Sequence, residues 1–364
     1  MTTPAKAEHV ITSGISPVVQ VFTTLCYVSE PSMQGPGMLD APIQFNPILV
    51  PKVWGGRRLE TLGKKLPPET AIGESWEIAD LPSGGPTTLA ISGLFEGQSL
   101  RSMLATHSED IMGRVPLNQD GCFPLLIKYL DASDNLSVQV HPDQAWADQH
   151  PEAHLKSEAW VVMDAEPDSR IWAGVKPGID AVQLQAALEA DTLTECLKSR
   201  GAIVGSCHML PSGTCHALGR GVLVAEVQTT SDTTFRLWDW GRAGREMHVP
   251  EALACINFED EPPQEVPPPP PTTAGIFETV VAQTPWFTMR RVDCSAASTW
   301  RTDLQDAPMV LMCLEGAAHA TAPGGIVPLT RGSTALLPAS LAQATLELGD
   351  AASILLVQPH ASSH

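Results

Sequence analysis

Residues 309–340 read MVLMCLEGAAHATAPGGIVPLTRGSTALLPAS. Short apolar runs are separated by glycine turns, and the stretch closes on the phrase RGSTALLPAS, as strands of a small jelly-roll barrel would. Residues 208–228, HMLPSGTCHALGRGVLVAEVQ, carry a similar cadence. The two stretches together predict two barrel halves, a weak internal repeat. Closing a sheet into a barrel removes unpaired strand edges and leaves a lined interior suited to a small ligand.

Working outward, residues 41–258 hold short β segments with turn residues between them: GESWEIAD, TTLAI, LLIKYLDA, LSVQVHP, AWVVMDAEP, SRIWAGV, GVLVAEVQ and TFRLWDW. Two stretches depart from that rhythm. Leu100 to Met112 and Ile179 to Lys198 space apolar residues by three or four, the latter through Val182, Leu184, Leu188, Leu193 and Leu197, which predicts helices packed on a β body. Residues 261–273, EPPQEVPPPPPTT, include five successive prolines, which cannot join a ladder and read as a linker or an exposed crossing. The expected organisation is an N-terminal extension over 1–40, a first barrel over 41–258 with helical insertions near 95–117 and 179–199, a linker over 259–273, and a second barrel over 274–364. Met38 stands just before the first strand-like text, so residues 1–37 read as an extension that an alternative start would omit.

The chain has 364 residues, 43% of them hydrophobic, enough for a large core. Its 22 Lys and Arg against 41 Asp and Glu leave a net charge of −19, which argues against gripping nucleic acid or an anionic membrane. An anionic substrate therefore needs a local cluster of cations. The eight cysteines form no CxxC pair and read as reduced thiols of a cytoplasmic protein. The apolar run Val18 to Val28 is far shorter than the ~20 residues that cross a bilayer.

The chemistry begins at LSVQVHP. Gln139 and His141 are two apart, so on a strand both point to one face and Val138 and Val140 to the other. Lys156 and Glu158 share a face in the same way, and a carboxylate heading a hydrophobic strand is costly to bury unless it is paired or binds a metal. His216 sits where a glycine turn enters a strand. Together Gln139, His141, Glu158 and His216 offer two imidazole nitrogens and two oxygens, a set suited to Zn²⁺ at ~2.0–2.2 Å and tolerant of Mn²⁺ or Mg²⁺. A competing thiolate set, Cys207, His208, Cys215 and His216, is the lesser reading, because adjacent residues on a strand project to opposite faces.

These segments carry a resemblance. The text from APIQFNPILVPKVWGG through PLLIKYLDA, LSVQVHPD, KSEAWVVMDAEP and GTCHALGRGVLVAEVQTTSDTTFRLWDW resembles the type I mannose-6-phosphate isomerases, in particular the short bacterial form, over about residues 41–258. The resemblance implies a mainly β fold of double jelly-roll cupin barrels with a helical insertion. It implies metal ligands at Gln139, His141, Glu158 and His216, and active-site groups at Lys128, Lys156, Glu226 and Arg236. Cys215 before the second His and Ser157 between Lys and Glu depart from the family's usual text, and neither removes a donor. No P-loop or nucleotide-binding glycine motif is present, which separates the chain from bifunctional relatives that also make sugar nucleotides.

The chemistry fits on its own terms. Interconverting an aldose and a ketose moves a proton between adjacent carbons through an enediol, with a divalent metal on the oxygens and a positioned base. A hairpin centred on Ser231 would oppose Glu226 and Arg236 with Cβ atoms ~4.5–5.5 Å apart, allowing an ion pair. Lys128, in an apolar run, reads as a snorkelling surface residue or as a buried lysine of lowered pKa. Arg57, Arg58, Arg220 and Arg242 are candidate phosphate contacts. His319 is the single ligand-like residue of the second barrel, which is expected to be metal-free and structural. The expectation is a zinc-dependent isomerase of mannose 6-phosphate and fructose 6-phosphate, with an iron-dependent cupin oxygenase and a non-enzymatic sugar-binding cupin as alternatives.

Overall fold

The computed structural model describes residues 39–259, 265–269 and 275–361. The expected N-terminal extension up to Met38, and most of the proline-rich stretch, lie outside the described residues. Four antiparallel sheets of four to six strands make up most of the β structure. The first barrel pairs a six-stranded sheet, in the order Cys207–Leu210, Glu158–Ala165, Val222–Thr229, Leu125–Ala132, Ile72–Ile78 and Ile48–Gly56, with a five-stranded sheet. The latter runs Phe235–Trp238, Val138–Val140, His216–Leu218, Arg170–Val175 and Leu197–Gly201. Beyond residue 275 a second pair follows, with five and four strands.

The central strands are apolar on both faces because both faces are covered. Along Leu125–Ala132, the residues Leu125, Ile127 and Tyr129 join a core shared with the helix Leu100–Met112 and with Phe287, Met289, Val310 and Leu355 of the second barrel. The alternate residues Leu130 and Ala132 pack inside the first barrel against Trp54, Trp160 and Val162. The same period of two places Lys128 on the inward face with them. The second barrel's interior is filled by Val292, Leu311, Leu329, Leu346 and Leu356 with their neighbours, while His319 is exposed on the strand Ala317–Ala322.

Three sequence expectations are corrected. The predicted helix over 179–198 divides into a helix Ala181–Glu189, a 3-10 turn Leu193–Cys196 and a strand Leu197–Gly201. Asp180 starts the helix with a reciprocal capping box to Gln183. Leu184, Leu193 and Leu197 are buried, but Val182 is 76% exposed, because the chain leaves the helix before one continuous stripe can form. Second, the hairpin centred on Ser231 does not exist. Val222–Thr229 lies between Glu158–Ala165 and Leu125–Ala132 in one sheet, while Phe235–Trp238 pairs with Val138–Val140 in the other. The polar text TTSDT is a crossing between sheets, so Glu226 faces Lys128 and Trp160, and Arg236 faces Gln139. Third, TTLAI supplies only the two-residue strand Leu89–Ala90.

Within the proline-rich stretch, Val266 exchanges backbone hydrogen bonds with Cys207 at 2.8 and 2.9 Å, just before the prolines begin. Gly55 and Gly73 permit the close approach of the strands Ile48–Gly56 and Ile72–Ile78: a Cβ on Gly55 would collide with the Gly73 backbone, and one on Gly73 with Lys52 and Trp54.

Candidate active site

Strand pairing assembles the site. His216 faces Gln139 across one sheet, and Glu158 heads a strand of the other. Inside the barrel, His216 Nε2 is 3.0 Å from Glu158 Oε1 and His141 Nε2 is 3.6 Å from Oε2. The three ligand atoms lie within 4.8 Å of one another, and all three residues are buried. Each imidazole is oriented by a backbone carbonyl on its far side: His141 Nδ1 faces Thr233 O at 2.9 Å and His216 Nδ1 faces Thr214 O at 2.8 Å. A carbonyl only accepts, so Nδ1 carries the proton and each Nε2 turns a lone pair toward Glu158. Gln139 lies alongside with Nε2 3.2 Å from His216 Nε2; turning its amide over would present the oxygen instead.

The charge states suit a cation. Burial, with the Lys156 ammonium adding to it, pushes His141 down to about 3, so the ring is neutral. Burial alone would raise the Glu158 pKa, but the Lys156 ammonium outweighs it and the carboxyl is held well below the usual carboxylate range. Neither Glu158 oxygen accepts an aligned hydrogen bond, although Lys156 Nζ lies 2.7 Å from Oε2 and 3.0 Å from His141 Nε2. An ionised, unsatisfied, buried carboxylate between two imidazole lone pairs is a donor set that fits a divalent metal.

A second buried chain of charges lines the same cavity, which measures about 260 Å³. Lys128 Nζ lies between Glu226 Oε1 at 3.4 Å and Glu74 Oε2 at 3.6 Å, and Lys52 Nζ is 2.9 Å from Glu74 Oε1. Two indoles hold the carboxylates: Trp160 Nε1 donates to Glu226 Oε2 at 3.1 Å and Trp76 Nε1 to Glu74 Oε2 at 2.6 Å. Burial would lower the Lys128 pKa, yet Glu226 and Glu74 raise it above the ordinary lysine value, which overturns both the snorkelling and the lowered-pKa readings. Glu226 is raised, by burial first and by Glu158, against the opposing pull of Lys128. Glu74 has two lysines and an indole beside it and is held at about 2 despite its burial.

Arg236 also lines the cavity; its Nη1 donates to the Glu246 carbonyl, while its buried Nε has no partner. None of the four arginines expected at a phosphate lines it. Arg57 pairs with Glu60, Arg58 with Asp131 and Arg242 with Asp134 and Asp239, while Arg220 is exposed. The sequence reading missed Lys52, Glu74 and Arg245, which do line it. The signal for Glu74 was the spacing Glu74–Trp76, which sets an acid and an indole donor on one strand face. The thiolate alternative is dispersed: Cys207 joins the outer core, while His208 on the opposite face meets Ser206 Oγ at 3.0 Å.

A double β-barrel protein with a metal-competent two-imidazole, one-carboxylate centre beside a buried acid and several cations is thus defined. Residues 44–159 match the family Phosphomannose isomerase type I, catalytic domain. A mannose-6-phosphate isomerase of Streptococcus mutans is 32% identical over 296 residues, 79% of this chain and 89% of that protein. The crystal structure of the mannose 6-phosphate isomerase from Bacillus subtilis superposes with a TM-score of 0.77 at 25% identity, covering 87% of this chain and 99% of that one. A mannose 6-phosphate isomerase bound with zinc and yttrium shares the fold, with a TM-score of 0.67 at 18% identity over 87% of this chain and 99% of that one. The chain belongs to the type I phosphomannose isomerase family.

Proposed function

We propose that this chain interconverts mannose 6-phosphate and fructose 6-phosphate, with Zn²⁺ held by His141, Glu158, His216 and Gln139, the last in its turned-over amide orientation. The observation that carries the reading is the convergence of the His141, Glu158 and His216 ligand atoms within 4.8 Å inside a barrel that also holds Glu226. When bound there, the cation would supply Lewis-acid chemistry toward the substrate's oxygens.

The chain's own residues do the rest. Glu226 is the group that moves the proton between the adjacent carbons: its Oε2 is pinned by Trp160, its Oε1 accepts no hydrogen bond, and burial brings its pKa up toward the working range of a base. Lys128 stays charged beside it and balances negative charge as the enediolate forms. Lys156 and Arg236, which both line the cavity, contact the sugar phosphate. The second barrel, with its aliphatic interior, is a metal-free structural partner. Among the described residues no helix is long and apolar enough to cross a membrane. The seven described cysteines are free, as the reduced thiols of a cytoplasmic protein would be. The relatives' names, over most of the chain, favour the isomerase over the oxygenase and the sugar-binding alternatives.

The test is a coupled assay for fructose 6-phosphate from mannose 6-phosphate, with and without chelator, beside elemental analysis of the purified chain. Turnover that chelator abolishes and zinc restores is expected. Oxygen consumption without isomerisation would overturn the reading.

A further inference from the structure

A second cavity of about 450 Å³ opens where the two barrels meet, walled by Leu117, Pro124, Leu155 and the half-buried indole of Trp286. Its chemistry is unlike that of the catalytic cavity. Among the described residues no lysine or arginine lines it, and its one carboxylate, Asp120, lies 3.3 Å from His154 Nε2. The hydroxyls are turned away: Thr230 Oγ1 donates to the Phe123 carbonyl and Thr229 Oγ1 to the Leu155 carbonyl. A sugar phosphate finds no lysine or arginine here, only His154, engaged by Asp120, and His360, engaged by Thr288 Oγ1 at 2.9 Å, whereas a flat apolar ring finds an indole and aliphatic walls, with side-chain amides such as Gln119 at the opening.

The cavity shares a wall with the catalytic site. His154 N–H donates to Thr233 Oγ1 at 3.0 Å, and Ser231 Oγ donates to the His154 carbonyl at 3.0 Å. The Thr233 carbonyl accepts from His141 Nδ1 at 2.9 Å, and Lys156 follows Leu155 directly in the chain. We propose that this cavity is a second ligand site, for an uncharged planar heteroaromatic molecule, whose occupation acts on the catalytic centre by moving the 154–156 segment and the Thr233 carbonyl. The ligand reaches the centre through a chain of hydrogen bonds and touches no proposed metal ligand.

Adenine is a suitable probe, with binding to the full chain measured by equilibrium dialysis and turnover of mannose 6-phosphate measured in parallel. Turnover without probe reports on the proposed isomerase separately, so failure of one reading is distinct from failure of the other. Saturable binding that mannose 6-phosphate does not displace, with a change in turnover of about fivefold, is expected. Trp286→Ala should weaken binding roughly tenfold. Should that variant fail to fold, Gln119→Trp, at an exposed position on the rim, should obstruct the opening and leave probe-free turnover unchanged. No binding, displacement by mannose 6-phosphate, binding that both variants leave intact, or binding without effect on turnover would each overturn the proposal.

Discussion

Glu226 and Lys128 are directly paired across neighbouring antiparallel strands and point into the barrel together, with Oε1 3.4 Å from Nζ. The pair is buried, and on its other side Lys128 meets Glu74. One ammonium therefore serves two carboxylates. Glu74 has Lys52 as well and stays ionised, whereas Glu226 is left with the weaker claim and the higher proton affinity. That asymmetry is what supports the proposal that Glu226 carries the proton.

Glu226→Gln should keep the bound metal and lose turnover by about 10²–10⁴-fold, because the amide preserves shape and the Trp160 hydrogen bond but takes no proton. Elemental analysis of the variant beside its kcat checks both halves. Loss of metal with turnover would reduce Glu226 to a structural role.

How much of this was legible beforehand depended on distance along the chain. Gln139 and His141 sit two apart on one strand, and Glu158 heads another, so period-two reasoning located them, while His216 joined the set as an imidazole where a glycine turn enters a strand and the resemblance then implied the same four ligands. The Glu226–Arg236 pairing was misread because a polar turn between two β segments looks alike whether the chain reverses within a sheet or crosses to the opposite one. Only the pairing of Arg236 with Gln139 distinguishes the two. The phosphate candidates lie off the cavity for a similar reason: Arg58 and Arg242 are engaged by Asp131 and Asp134, acids 73 and 108 residues away, and neither partnership is written in the local text.

The helix Ala181–Glu189 separates pattern from burial. Leu184→Ala should cost about 3 kcal/mol, since Leu184 is fully buried in the outer core of the five-stranded sheet. Val182→Ala should stay within about 0.5 kcal/mol, as expected for an exposed side chain. Urea denaturation of both variants tests the pair, and equal losses would contradict the register of this helix.

Acid should weaken the metal-free protein in two stages. His141 is held at about 3 against an ordinary 6.5, so below 6.5 the unfolded chain takes a proton that the folded chain refuses, and stability falls with pH. Glu74, held at about 2 against 4.5, adds a second loss of the same sign as pH falls below 4.5, complete only near its folded value. The urea midpoint of the metal-free chain should therefore fall steadily on acidification. Glu74→Gln should flatten the lower stage while lowering the midpoint at neutral pH by about 3 kcal/mol in stability, because Lys128 and Lys52 lose their shared partner. A midpoint insensitive to pH in the variant and the parent alike would contradict these charge states.

Glu158→Gln and His216→Ala should lose metal and turnover together. Glu158 supplies the one negative charge among the clustered donors, and neither of its oxygens accepts an aligned hydrogen bond, its neighbouring cation being Lys156 at 2.7 Å. Replacing it with an amide removes that charge and leaves Lys156 beside a neutral group, so binding of a divalent cation weakens sharply. His216 contributes the lone pair at 3.0 Å from Glu158 Oε1, and its loss opens the cluster on the side of the five-stranded sheet. The two variants differ in a way that tests the geometry: Glu158→Gln keeps its volume and should still fold with an intact barrel, whereas His216→Ala also removes the ring that packs edge-on against Trp160. Elemental analysis, turnover and thermal melting of both variants give the full comparison. Full activity in a dialysed, metal-free His216→Ala protein would remove the metal centre from the mechanism.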